Sequence, residues 1–70
     1  MENEREIAFL CRRMKELREK NGLNQQEMAR KLNVSNKSTI SRVEAGKTSY
    51  KTLVTFARDY CTAFGLSEAQ

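Results

Sequence analysis

Apolar residues recur along this chain at intervals of three and four, the spacing that lines one face of an α-helix. Over residues 4–21 they are Ile7, Leu10, Cys11, Met14 and Leu17, and Asn21-Gly22 supplies a stop. Two residues depart from the pattern. Phe9 falls on the opposite, charged face, and Arg18 falls inside the apolar stripe, four residues after Met14. An arginine on a buried stripe needs either an acidic partner or a stem that reaches outward.

A second helix opens at Asn24-Gln25-Gln26-Glu27, where an N-cap asparagine followed three residues later by glutamate makes a capping-box pattern, and it runs to Leu32. Its inner face is Met28, Ala29 and Leu32. Asn33 then stands where a chain leaving a helix needs a left-handed residue, which predicts a tight turn. Ser35-Asn36 caps a third helix ending at Ala45-Gly46, with Ile40 and Val43 inward and Glu44 sharing their face. The outer face is Lys37, Ser38, Thr39, Ser41 and Arg42, almost all hydrogen-bonding types and net positive. Ser49 caps a fourth helix that runs to Phe64, with Gly65 as its stop. Leu53, Phe56, Ala57, Tyr60 and Phe64 form its stripe, which Val54 and Cys61 widen to about half the helix, more than the roughly 100° arc a core-facing surface needs. The surplus points to a second subunit.

Seventy residues make one domain spanning 1–70, all-α, with room for four to five helices. The absence of histidine removes the commonest general base and zinc ligand, so Ser-His-Asp and Cys2His2 constellations are closed off. Cys11 and Cys61 form no C-x-x-C pair and are too few for a disulfide framework, which favours a cytoplasmic setting. The acidic opening is unlike a secretory signal, and the longest apolar run, Ile7 to Cys11, is far too short for a membrane. No metal, cofactor or small-molecule ligand is expected, and no enzymatic activity.

The formal net charge of +4 is unevenly spread: residues 21–58 carry seven bases and two acids, and between Arg30 and Lys51 there are six bases against Glu44 alone. Such a stripe suits a polyanion, nucleic acid first, although a solvated basic face without a partner fits charge alone equally well. The layout adds to it: two short helices joined by a tight turn, the second with polar and basic residues outward, is that of a DNA-binding helix-turn-helix.

The run from Leu17 through Gly22-Leu23-Asn24-Gln25-Gln26-Glu27-Met28-Ala29, followed by Ser38-Thr39-Ile40-Ser41-Arg42-Val43-Glu44-Ala45-Gly46-Lys47, closely resembles the phage repressor and Cro (XRE-like) family. The resemblance covers about residues 10–60. It implies a lambda-repressor-like fold with its motif at about 24–46 and an extended fourth helix at about 49–65. It also implies a sequence-specific regulator, a repressor that occupies a pseudo-palindromic operator on double-stranded DNA as a homodimer, and so nucleoid-associated. Gln25 matches a residue that clamps the DNA backbone, and Lys47 matches a second phosphate contact; Thr39, Ser49 and Lys51 join them. Arg18 and Glu44 match a family pair that bridges the first helix to the recognition helix.

The chain departs from the family pattern in the turn, where Asn33 replaces glycine and Ile40 follows one residue later than usual. Counting back from Ile40 makes Lys37, Ser38 and Arg42 the base readers, with Ser41 beside them. Counting forward from the turn promotes Ser35 and Asn36 instead. The first count is favoured because Ile40, Val43 and Glu44 define the inner face. A second departure is the long fourth helix, which leaves only Leu66 to Gln70 for a fifth and places the expected dimer surface at Tyr60, Phe64 and Leu66, with Phe9 as the competing anchor. The rival to a DNA-binding role is a helix-turn-helix module that binds protein, as an antitoxin or antirepressor does.

Overall fold

The computed structural model describes residues 2–66, which form four helices and no strand: α1 (Glu2–Lys20), α2 (Gln25–Lys31), α3 (Lys37–Glu44) and α4 (Tyr50–Ala63). No helix among the described residues is long and apolar enough to cross a membrane. The fifth helix expected at the end of the chain falls on residues 67–70, outside the described part.

Three helices begin on side-chain caps that satisfy their free backbone N–H groups. Asn24 accepts from the Glu27 N–H at 2.8 Å while the Asn24 N–H donates back to Glu27 at 2.8 Å, a reciprocal capping box. Asn36 rather than Ser35 caps α3, accepting from the Ser38 N–H at 2.9 Å. Ser49 caps α4 by accepting from the Thr52 N–H at 3.2 Å.

All four helices end the same way, with the paired backbone bonds of a Schellman motif and a left-handed residue just past the cap. For α2 that residue is Asn33, whose φ of 60° is the one positive value at a non-glycine among the described residues. The Val34 N–H then returns to Ala29 O at 2.8 Å and the Asn33 N–H to Arg30 O at 3.0 Å. This closes α2 and redirects the chain into the five residues that lead to α3.

The end of α3 is more constrained. Gly46 has φ +74°, and a Cβ there would lie 3.1 Å from Ile7 Cγ2 and 3.3 Å from Cys11 Sγ. Gly46→Ala is therefore expected to cost about 1–2 kcal/mol for the left-handed backbone alone, with a further loss as α1 is pushed away. Gly22→Ala, at φ +73° but with nothing within 4 Å, is the control. If the two variants melt at the same temperature, the close approach of α3 to α1 carries no weight.

Met14 of α1, Met28 and Ala29 of α2, Ile40 and Val43 of α3, and Leu53 and Tyr60 of α4 form the buried core. α1 packs along α4, and α2 lies against α3. Tyr60 corrects the expected dimer surface: it is 0% exposed, and its hydroxyl donates inward to Glu44 Oε2 at 2.7 Å. A residue with no accessible surface cannot meet a second subunit unless the domain opens. Phe64 and Leu66 are half-buried, and Phe64 packs against the core with Lys31 Nζ 5.8 Å from its ring centroid. The surplus of the α4 stripe, Val54 and Cys61, faces instead a groove shared with α1.

Candidate nucleic-acid interface

α3 holds the key side chains because only one side of it is apolar. Ile40 and Val43 are fully buried, which turns Lys37, Ser38, Ser41 and Arg42 to solvent and leaves Thr39 half-buried. The helix is thus oriented by the count from Ile40, and the extra residue of the turn is absorbed in the extended linker that ends at Asn36, with φ −144°. Ser35 and Asn36 lie in that linker. Asn36 Oδ1 accepts from both the Ser38 N–H and the Ser38 hydroxyl, at 2.9 and 2.8 Å. The bidentate asparagine–adenine pair needs that oxygen as its acceptor. Asn36 is therefore corrected from a base reader to a helix cap. Ser38 spends its proton on the cap but keeps oxygen lone pairs facing solvent.

Beneath α3 lies a polar knot. Arg18 Nε donates to Glu44 Oε2 at 2.8 Å and Arg18 Nη2 to Glu44 Oε1 at 2.9 Å, a bidentate pair with side chains 8% and 4% exposed. The remaining guanidinium nitrogen, Nη1, donates to Leu23 O at 2.9 Å, so the arginine on the α1 stripe is held on both sides. Tyr60 from α4 also donates to Glu44 Oε2, at 2.7 Å, and the Gln25 side chain from α2 lies near enough to help hold the carboxylate charged. One carboxylate of α3 thereby ties α1 and α4 to it. Burial pushes the Glu44 carboxyl up, but the hydrogen bonds from Arg18 and Tyr60, the Arg18 charge and the nearby Gln25 amide outweigh it and leave the group below the ordinary carboxylate value. Burial and the neighbouring carboxylate push the Tyr60 phenol far above its ordinary value, so it remains a donor. Among buried side-chain polar atoms of the described residues, none lacks a partner.

Gln25 thus stands half-buried at the start of α2, with its amide beside the knot. Lys47 is exposed just beyond α3, its N–H bonded to Arg42 O at 2.9 Å, which fixes it to the same rigid end as Arg42. Ser49 and Lys51 are exposed at the start of α4, where the Ser49 hydroxyl is engaged with Thr52 at 2.9 Å. Two residues that the sequence argument did not single out as site residues border the same face. Gln26 and Arg30 flank a depression whose other edge is Lys37, and Lys37 also meets Asn24 and Gln25 across a second one. Their spacing of four on a short helix was the available signal, since it puts both on the α2 surface opposite Met28.

No significant match is found among curated proteins or solved structures. A family model described as "Helix-turn-helix domain" matches residues 10–70, a span that takes in α2, the Asn33 turn, α3 and their supporting helices. An outward polar and basic α3, a left-handed turn behind it and a core that locks its orientation agree with that match, and the chain belongs to the helix-turn-helix domain family, an architecture of DNA-binding regulators.

Proposed function

We propose that this domain binds duplex DNA in a sequence-specific manner and represses transcription by occupying a pseudo-palindromic operator as a homodimer. The observation that carries the reading is the exposed set Lys37, Ser38, Ser41 and Arg42 on a helix whose opposite side is wholly buried. Such a helix enters the major groove, where base edges present distinct donor and acceptor patterns. Arg42 reads guanine through O6 and N7, and Lys37, Ser38 and Ser41 supply the neighbouring contacts. Gln25, Thr39, Lys47, Ser49 and Lys51 hold the phosphates, which fixes register without reading sequence. Two copies related by a two-fold axis place their recognition helices in successive major grooves, with half-sites about 10–10.5 base pairs apart.

Selection of bound duplexes from a random pool tests the reading: paired half-sites at that spacing are expected, and a pool that shows no enrichment overturns it. Lys47→Ala is expected to weaken binding equally on all duplexes and to lower the slope of log affinity against log salt by about one unit. Fluorescence anisotropy across a salt series measures both. A loss confined to one sequence would make Lys47 a base reader.

A second reading, a module that binds protein as an antitoxin or antirepressor does, is favoured by Phe9, which is 64% exposed. Absence of any salt-dependent binding to duplex DNA distinguishes it.

A further inference from the structure

Away from α3, between α1 and α4, an open groove of about 250 Å³ has a floor that includes Leu10, Val54 and Ala57. Phe9 and Tyr50 stand at its edge, and they are the large hydrophobic side chains most exposed among the described residues, at 64% and 38%. The volume lies below the roughly 300–1,000 Å³ of pockets that take a drug-sized ligand, and suits an inserted side chain better. Its charges are polarised. Glu6 lies beside Tyr50 at one end, and Arg13 and Arg58 lie toward the other. On α1, Glu6 and Arg13 stand three residues before and four after Phe9, so all three share one helix face. The Tyr50 hydroxyl lies near Glu6, whose carboxylate raises the phenol's pKa, so the acidic end sits against the start of α4.

A groove with an aromatic side chain near its middle and opposite charges at its ends is complementary to itself when reversed. We propose that a second copy of this chain docks here, α1 antiparallel to α1 about a two-fold axis near Phe9, with Phe9 of each protomer in the groove of the other and Glu6 facing the partner's basic end. A parallel approach sets like charge against like charge, whereas the two-fold arrangement forms the favourable pairing twice and is closed. This assignment rests on the homodimer reading above and moves its surface from Tyr60, Phe64 and Leu66 to α1 and the outer side of α4. The groove is lined by α1 and α4 alone and takes in neither Lys37 nor Arg42, so docking there does not use the outward residues of α3.

Sedimentation equilibrium across micromolar concentrations, without DNA, tests the surface. Wild type is expected to dimerise, and Phe9→Glu to weaken self-association by about thirtyfold or more, the usual consequence of removing a central aromatic anchor. Glu6→Arg and Arg13→Glu are each expected to weaken the dimer, and the double variant Glu6→Arg/Arg13→Glu to restore it, because the swap re-forms the pair across the axis. Circular dichroism melts establish that each variant is folded, and Phe9→Glu, at an exposed site, carries the test if Arg13→Glu does not fold. A dimeric wild type that Phe9→Glu leaves dimeric overturns the groove assignment while the homodimer reading stands. A wild type monomeric at every concentration overturns both, including the case in which another protein's helix occupies the groove. Anisotropy on a single half-site, which needs no dimer, reports separately on DNA binding.

Discussion

Glu44→Ala should destabilise the domain by about 3–5 kcal/mol, the cost of breaking a buried ion pair and leaving its partner uncompensated. The stranded group is Arg18, 7% exposed, with two of its nitrogens suddenly without a carboxylate. Tyr60 loses its acceptor at the same time. A domain of this size has total stability on the order of 4–10 kcal/mol, so the loss approaches the whole. Each kcal/mol moves the melting temperature of a small domain by about 4–8 °C. The expected result is a melt lowered by more than 10 °C, or no cooperative transition at all. Arg18→Ala should do the same from the other side. A Glu44→Ala protein that melts like wild type but no longer binds DNA would instead make Glu44 a contact residue and remove the knot from the account of stability.

The same carboxylate sets an acid limb. Because the folded state holds the Glu44 carboxyl below its ordinary value of 4.5, the folded domain takes up a proton less readily than the unfolded chain. Its contribution is present above about pH 4.5 and is lost as pH falls through the lower folded value. Glu44→Gln should be less stable at neutral pH and show a flatter decline below that point. Denaturant unfolding at a series of pH values measures the slope, and an unchanged slope would assign the acid limb to other carboxylates.

Arg42→Ala should weaken binding to the preferred site by about 1–3 kcal/mol and relax the preference at one base pair, the effect of losing a bidentate arginine–guanine contact. The position supports this size of effect because Arg42 projects from the same turn as the fully buried Val43, so its backbone is fixed before DNA arrives. Little ordering entropy is then spent on the helix itself. Arg42→Lys should not rescue the preference, since an ammonium lacks the planar fork. Competition binding with a panel of single-base operator variants reads the result. A uniform loss across the panel would reassign Arg42 to the phosphates.

Much of this architecture is legible in the chain because its signals are local. Three-and-four spacing found every helix, and the caps at Asn24 and Ser49 together with the glycines and Asn33 located their ends to within a residue or two. Ile40 and Val43 set the face of α3, and with it the outward side of Lys37 and Arg42. Arg18 and Glu44 each stand out as a charge on an apolar face, which is a demand for a partner even though neither stripe alone says where that partner lies.

Where the linear pattern failed, the deciding contacts were between distant elements. Tyr60 sits on an apolar stripe, and a stripe does not distinguish a core face from an interface. Only the packing of α4 against the Arg18–Glu44 pair turned that side chain inward. Asn36 is the exception, decided locally: it carries the chemistry of a base reader, yet its contact with Ser38, two residues on, makes it the cap of α3 that its place before the helix already offered. The α1/α4 groove is invisible in sequence because Phe9 and Tyr50, 41 positions apart, line one groove only after α1 packs along α4. Periodicity, capping and charge, properties of neighbours along the chain, determined the helices and the basic outward face of α3. Which apolar side chains are buried and which remain for a partner was decided by the tertiary structure, because burial depends on what the other helices bring to each face.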